Sequence, residues 1–258
     1  MVRIMAVVTL TTDFGGHYAG IMKGVLKRMA PQVDVIDLSH DIEAWDVRSA
    51  AFVMLSSYSY FPEGTVHVAV VDPGVGSGRR ALAIKTRRYS FVGPDNGVLS
   101  PAAEEDGVEE VFEITNREFM LQQVSSTFQG RDVFAPTAAA IASGRRISDA
   151  GNRVEEWERL VFGRSVGKGH AECEVVYRDR FGNLTLSLRG DDVNLSGEAE
   201  LQVGGRPFRA TAIRTFSDLE EGLGLLVGSA GFYEVVVNRG SAQAVTGAAV
   251  GSRVSIRW

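Results

Sequence analysis

Hydrophobic positions in the first half of the chain follow two alternating spacings. Short apolar runs of the strand type, such as AVVTL at 6–10 and VDVIDL at 33–38, are separated by stretches with apolar residues at helical spacing. The clearest helical stretch carries Tyr18, Ile21, Met22, Val25, Leu26 and Met29. Strands that alternate with helices are typical of a parallel sheet covered by helices. We therefore predict an α/β domain with a largely parallel sheet.

The pattern changes after Gly144. Residues 145–170 are charged and contain several glycines, and short β-type runs such as CEVVYRD, LTLSL, AELQV and YEVVV follow. Closely spaced β runs without helical stretches between them favour antiparallel pairing. The sequence therefore predicts two unlike domains, an N-terminal α/β domain over residues 1–160 and a smaller β-rich C-terminal domain over residues 170–258.

Composition narrows the classes of partner. With 258 residues, 45% of them hydrophobic, the chain can fill a real core, and a formal net charge of −5 disfavours nucleic acid and anionic membrane surfaces. Cys173 is the single cysteine and the four histidines lack zinc-ligand spacing, so we expect no disulfide, no metal and no cofactor. No apolar run has the length of a signal-peptide core or a membrane span, and we expect a cytoplasmic protein.

The glycine-rich stretch VVDPGVGSGRR at 70–80 resembles a phosphate loop but lacks its chemistry. It has no lysine and hydroxyl of the Walker A type, and Arg79 stands where the third glycine of a dinucleotide fingerprint would fall. Asp72 at the mouth of the loop would repel a phosphate. The loop is therefore built around a carboxylate.

Polar residues also follow the other strands of the first half. Asp13 follows the first strand, His40 and Trp45 come after the second, and the stretch STFQGRD precedes the last helix of this half. Any one of these residues, taken alone, fits a purely structural role. An Asp after a strand commonly caps a helix or forms a turn, and most tryptophans pack in cores. Together they predict a ligand site beyond the carboxyl ends of the strands.

Seven stretches, in this order, resemble the S-adenosyl-methionine hydrolase family, whose relatives include nucleophilic fluorinases and chlorinases. They are TLTTDFG, LSHDIEAWDVRSAAFVM, VVDPGVGSGRRALAI, FVGPDNGVLSP, TFQGRDVFAP, DRFGNLTL and GSAGFYEVVVN. The resemblance implies an α/β domain followed by a β-rich domain. It also implies a homotrimer that binds its ligand between unlike domains of neighbouring subunits.

The resemblance implies a catalytic role for the loop. In the hydrolases, the Asp and first Arg of this stretch, here Asp72 and Arg79, act with a histidine to place water or hydroxide against ribose C5′. The sulfonium is already a good leaving group, so the site must mainly hold and desolvate a nucleophile, and no metal is required. Halogenating relatives carry an uncharged residue in place of the carboxylate, so Asp72 favours hydrolysis.

One position departs from the family. The histidine of TFHGRD is Gln129 in this chain, and glutamine can donate and accept hydrogen bonds but cannot carry a proton near neutral pH. We count Gln129 with Asp72 and Arg79 as the catalytic set. The departure leaves open an alternative, a non-catalytic protein that binds adenosine or S-adenosyl-methionine, and a halogenase is a further alternative that Asp72 disfavours.

The resemblance also implies substrate contacts from both domains. Asp13 would accept hydrogen bonds from the ribose hydroxyls, and Trp45 and Phe128 would wall the ribose and the sulfonium. The C-terminal domain would contact the methionine end and the adenine through a further set: Asp179, Phe181, Asn183, Ser229, Glu234 and Val237. The sequence therefore predicts an enzyme that converts S-adenosyl-L-methionine and water to adenosine and L-methionine.

Overall fold

The computed structural model of the protein describes residues 6–258. The chain forms two compact units, one ending at Leu160 and the other spanning Val161–Trp258. Within residues 6–258, no helix is both long enough and apolar enough to cross a membrane.

The first unit is built on a seven-stranded sheet. Its strands are β1 (Val7–Thr12), β2 (Asp34–Ser39), β3 (Val66–Val70), β4 (Ala81–Thr86), β5 (Ser90–Pro94), β6 (Val108–Ile114) and β7 (Gly151–Arg153). They lie in the order β2-β1-β3-β5-β4-β6-β7. The first four of these are mutually parallel, whereas β4, β6 and β7 pair antiparallel with their neighbours. The parallel strands end at a common edge, which is where the strand-end aspartates lie.

Four helices accompany this sheet: α1 (Gly15–Met29), α2 (Val47–Ser57), α3 (Ser100–Asp106) and α4 (Ala135–Ala142). A π-helical turn, Gly130–Phe134, leads into α4, and short 3-10 turns cover Tyr58–Tyr60, Arg117–Phe119 and Ile147–Ala150. The apolar residues predicted at helical spacing in α1 are only partly buried in the first unit. Met22 and Leu26 are buried, whereas Tyr18 is 43% exposed. The core between α1, α4 and the sheet includes Leu10, Met22, Val68, Val92 and Phe134.

The second unit is a closed β structure with one short helix. Its elements are β8 (Ser165–Gly167), β9 (His170–Arg178), β10 (Leu184–Arg189), β11 (Glu198–Val203), β12 (Arg206–Ala212), β13 (Leu223–Val227), β14 (Phe232–Val236), α5 (Ala242–Thr246) and β15 (Arg253–Arg257), with a 3-10 turn at Phe216–Asp218. The order is β10-β14-β13-β12-β11-β15-β9-β8, and an additional pairing between β9 and β10 closes the sheet. The pairs are antiparallel except β12 with β13. The mostly parallel sheet and the β-rich second unit confirm the predicted fold class.

Candidate active site

The loop after β3 folds back on itself so that its two ends face each other. The backbone N–H of Val75 donates to the carbonyl of Asp72 (3.2 Å), and that of Ser77 donates to the carbonyl of Gly74 (3.0 Å). Gly76 has a φ of 81°, and a Cβ there would lie 2.9 Å from the Ser126 carbonyl oxygen. The loop needs glycine at this position because both its conformation and its close approach to Ser126 exclude a side chain.

Asp72 and Arg79 form a nearly buried ion pair across this loop. Arg79 Nε lies 2.9 Å from Asp72 Oδ1 and 3.0 Å from Oδ2, and Arg79 Nη2 also contacts Oδ2. The two side chains are only 6% and 10% exposed, and the guanidinium lies 5.4 Å from the ring centroid of Phe134. Such a charge-assisted, multiply bonded pair holds both groups in a fixed orientation.

Arg79 also binds Gln129, which lies 50 residues further along the chain. Its Nη2 donates to Gln129 Oε1 at 2.7 Å. Because a guanidinium can only donate hydrogen bonds, the amide oxygen of Gln129 must face it, and the amide NH₂ is left for another partner. The structure therefore joins the three predicted catalytic side chains in one hydrogen-bonded group.

Asp13 and Trp45 form a second contact at the same edge of the sheet. The backbone N–H of Trp45 donates to Asp13 Oδ2 at 2.8 Å. Trp45 has a φ of 67°, and among residues 6–258 only Arg239 is another non-glycine residue with positive φ. The left-handed conformation is unfavourable for an L-residue with a large side chain. Trp45 is nevertheless 73% exposed, so its side chain is not a core residue.

Phe128 is the centre of an aromatic cluster. Its ring makes edge contacts with Phe14 (5.9 Å) and Tyr18 (5.2 Å), and the guanidinium of Arg131 lies 5.2 Å from its centroid. Phe14 and Tyr18 were not among the predicted site residues. The sequence signals were weak: Phe14 directly follows the strand-end Asp13, and Tyr18 is the first apolar position of the helical stretch. The cluster fixes the orientation of Phe128 through contacts on several sides.

These residues surround a cavity of about 260 Å³. It is lined by Asp13, Phe14, Ala44, Trp45, Val70, Asp72, Val75, Thr127, Phe128, Gln129 and Gly130. Five of the predicted site residues are therefore lining residues, and Arg79 is joined to the cavity through Asp72 and Gln129. Within residues 6–258 no group of three or more His, Cys, Asp or Glu side chains could hold a metal ion.

His40 lies behind this edge in a supporting position. Its Nδ1 is 2.8 Å from Thr12 Oγ1, and its Nε2 is 3.0 Å from Asp37 Oδ1. Its backbone carbonyl accepts from the N–H of Gly15 (3.2 Å), where α1 begins. His40 therefore holds the strand-end loop that carries Asp13.

In the second unit, Asp179 organises the turn DRFGN. Its Oδ1 accepts from the backbone N–H groups of Phe181 and Asn183, and its Oδ2 accepts from Asn183 Nδ2, all at 2.9 Å. Asn183 is buried, whereas Phe181 is 68% exposed. The turn therefore presents an aromatic ring to solvent on a rigid, hydrogen-bonded base.

The other predicted residues of the second unit lie on or beside β14. Glu234 is in the strand, Ser229 is in the turn before it, and Val237 directly follows it. Burial, followed by the charge of Asp179, raises the pKa of Glu234. The raised pKa means that burial and the charge of Asp179 both disfavour the charged form of Glu234.

The chain is thus a two-unit α/β protein whose first unit holds a carboxylate–guanidinium–amide group beside an aromatic-walled cavity. Comparison with family models gives the particular family. The N-terminal domain of SAM hydroxide adenosyltransferases matches residues 8–151, and their C-terminal domain matches residues 173–255. The chain belongs to this family.

Individual relatives agree with this assignment. The (R)-S-adenosyl-L-methionine hydrolase of Salinispora arenicola is 41% identical over 91% of each chain, and that of Salinispora tropica is 38% identical over 96% of this chain and 97% of the relative. A crystal structure of an uncharacterized conserved protein from Thermotoga maritima has a TM-score of 0.90 and 37% identity, covering 98% of this chain and all of the other. Fluorinases are more distant, at 24–25% identity. The resemblance predicted from the seven motifs is confirmed.

Proposed function

We propose that this protein hydrolyses S-adenosyl-L-methionine to adenosine and L-methionine. The observation that carries the proposal is the connected set of Asp72, Arg79 and Gln129 beside the cavity. Two Salinispora proteins named (R)-S-adenosyl-L-methionine hydrolase are similar to this chain over more than nine tenths of its length, and they support the same reaction.

The reaction is a displacement at ribose C5′. A water or hydroxide oxygen forms a bond to C5′ as the C5′–S bond breaks, and the bonding electrons pass to sulfur, giving the neutral thioether of methionine. When water attacks, its proton is released, so the positive charge of the sulfonium ends on the proton. Because the leaving group needs no activation, the enzyme gains rate by holding the nucleophile in line and excluding bulk water.

In this proposal the nucleophile is held by one hydrogen-bond acceptor, Asp72, and one hydrogen-bond donor, Gln129. Asp72 Oδ2 accepts from both Nε and Nη2 of Arg79, whereas Oδ1 accepts from Nε alone and keeps a lone pair for a hydrogen bond from water. The Gln129 amide NH₂ donates to the oxygen of the nucleophile, since Arg79 occupies the amide oxygen. Gln129 therefore orients the nucleophile but does not remove its proton.

Asp13 and the aromatic residues hold the substrate. Asp13 uses Oδ2 for the Trp45 N–H, which leaves Oδ1 to accept from the ribose hydroxyls. The faces of Trp45 and Phe128 wall the ribose and stabilise the adjacent sulfonium cation. The nucleophile and the sugar would then be held by separate groups of the same cavity.

The second unit supplies the remaining contacts in this proposal. Phe181 stacks on adenine, Asp179 and Asn183 bind the methionine end, and Ser229, Glu234 and the backbone at Val237 bind polar edges of the ligand. Because these residues and the catalytic set lie in different units, we propose that the active form is a homotrimer with shared sites. Light scattering would test this, and a fully active monomer would exclude an obligatory shared site.

The proposed function is tested by incubating the pure protein with S-adenosyl-L-methionine in ¹⁸O-labelled water, followed by chromatography and mass spectrometry. The expected product is adenosine with the label in its 5′ oxygen. The R and S sulfonium epimers are supplied separately, because the relatives' name specifies R. Binding without product would favour the non-catalytic binder, and 5′-halogenated nucleoside in added halide would favour the halogenase. The reaction needs no metal in this proposal, and a cytoplasmic location remains a prediction.

A further inference from the structure

The turn 95–97, in the motif FVGPDNGVLSP, lies between the reactive loop and the segment that ends the first unit. It follows β5, and none of its side chains lines the cavity. Its hydrogen bonds nevertheless reach both flanks of the loop that carries Asp72 and Arg79.

The turn binds the reactive loop at the two residues that flank the ion pair. Asn96 Nδ2 donates to the carbonyl of Val71 at 2.9 Å, and Val71 directly precedes Asp72. The Asp95 N–H donates to the carbonyl of Arg80 at 3.0 Å. The same carbonyl accepts from Arg79 Nη1 at 3.1 Å. Both members of the ion pair are therefore fixed from outside the loop by one turn.

Asp95 also fixes the side chain of Arg80. Arg80 Nε lies 2.8 Å from Asp95 Oδ2, and its Nη2 lies 2.6 Å from the same oxygen. The Asp95 side chain is only 4% exposed, so its hydrogen bonds go to protein partners and not to bulk water. Losing the carboxylate would remove the charged partner of Arg80, whose carbonyl accepts a hydrogen bond from Arg79.

The opposite side of the turn holds segment 156–160. Asp95 Oδ1 accepts from the Glu158 N–H at 2.8 Å, and Arg80 Nη2 donates to the Glu156 carbonyl at 2.7 Å. Gly97 has a φ of 90°, and a Cβ there would lie 2.8 Å from Leu160 Cβ. One buried carboxylate thus connects the reactive loop to the last residues before the second unit begins at Val161.

We propose that Asp95 and Asn96 are positioning residues that set the geometry of the Asp72–Arg79 pair, and that segment 156–160 completes this support. The inference rests on the proposed function and assigns a role to residues that touch neither substrate nor nucleophile. A shift of the pair by about 1 Å would lower turnover by up to a hundredfold, because in-line attack depends on position. The sugar contacts of Asp13 and Trp45 lie on other loops, so substrate binding would change little.

Two near-isosteric substitutions test the proposal. Asn96→Asp keeps an oxygen for the Val98 N–H (3.1 Å) but replaces the donor that faces the Val71 carbonyl. Asp95→Asn keeps an acceptor for Glu158 but removes the charge that binds Arg80. The matched control is Asp106→Asn, which breaks the Arg88–Asp106 ion pair (2.6 Å) at the opposite end of β4. Asp106 is fully buried, so the control also loses a buried carboxylate.

Turnover of folded protein is the first measurement. Asn96→Asp and Asp95→Asn are expected to lower kcat by about tenfold or more with KM within about threefold, whereas Asp106→Asn lowers stability and leaves both constants unchanged. A kcat near wild type in both test variants, or a loss that only follows the folded fraction as in the control, would overturn the inference.

A second measurement does not depend on turnover. The ¹⁵N–¹H resonance of Arg79 Nε, assigned with Arg79→Lys, reports the hydrogen bonds to Asp72. It is expected to shift or broaden in both test variants and to stay in place in Asp106→Asn. If the wild type shows no hydrolysis, the proposed function fails, and this resonance still decides the positioning role. An unmoved resonance in the test variants would refute it.

Discussion

Replacing Trp45 should separate backbone strain from ligand binding. Trp45 has a φ of 67° and is 73% exposed, so its side chain gains little from burial while its backbone is left-handed. That conformation costs an L-residue about 1–2 kcal/mol, whereas glycine adopts it freely. The greater freedom of glycine in the unfolded chain offsets about 0.5–1 kcal/mol. Trp45→Gly should therefore be about 0.5–1 kcal/mol more stable than Trp45→Ala.

This difference is measurable by thermal unfolding. For a domain of this size it corresponds to a melting temperature about 1–4 °C higher in Trp45→Gly than in Trp45→Ala. Both variants lose the indole face, so both should raise KM for S-adenosyl-L-methionine by on the order of tenfold, the scale of a lost cation–aromatic contact. The more stable variant would then bind substrate no better than the less stable one.

Asp13 provides the matching control. Its Oδ2 accepts the Trp45 N–H, so Asp13→Ala should let the turn relax and shrink the stability difference between glycine and alanine at position 45. The same difference is expected at Arg239, which has a φ of 55°. Equal melting temperatures for Trp45→Gly and Trp45→Ala would refute the view that strain is held at the cavity.

Three further predictions concern catalysis and pH. Asp72→Ala should lower kcat by on the order of a hundredfold in the product assay, and an unchanged rate would remove Asp72 from the mechanism. Gln129→His should speed hydrolysis and add an ionisation near pH 6–7 to the rate profile if a base is limiting; a rate within a few-fold and an unchanged profile would show that residue 129 only orients the nucleophile. Burial lowers the pKa of His67 to about 3, below its ordinary value, so the unfolded chain binds the extra proton as the pH falls below about 6.5. Between pH 7 and pH 5 the wild type should lose about 2 kcal/mol more stability than His67→Gln in urea titrations, and parallel losses would contradict this assignment.

The types of the main elements followed from local sequence, because the spacing of apolar residues reflects the period of a helix or strand. The stretch carrying Met22 and Leu26 forms α1, and the closely spaced β runs form the second unit. The proximity of Asp72 and Arg79 could also be expected from the sequence. The two residues lie seven positions apart in one glycine-rich loop, so few conformations separate them.

Other features depend on contacts that no local pattern contains. The place of β6 between β4 and β7 is set by the packing of the sheet. The residue type of Trp45 favoured a core position, but its side chain is exposed, and its backbone N–H binds Asp13, which lies 32 residues away. Tertiary context overrides residue preference in such cases, since one buried or charged partner outweighs the average tendency of a side chain.

Gln129 shows most clearly what the sequence alone could not determine. Its sequence position indicated that a titrating histidine was absent and left open whether glutamine would donate or accept toward a nucleophile. Arg79, 50 residues away, binds the amide oxygen, because its Nη2 lies 2.7 Å from Oε1, and in our proposal the amide NH₂ therefore faces the nucleophile. The amide oxygen faces Arg79 because a guanidinium has only donors. This constraint applies only after the fold has brought the two side chains together.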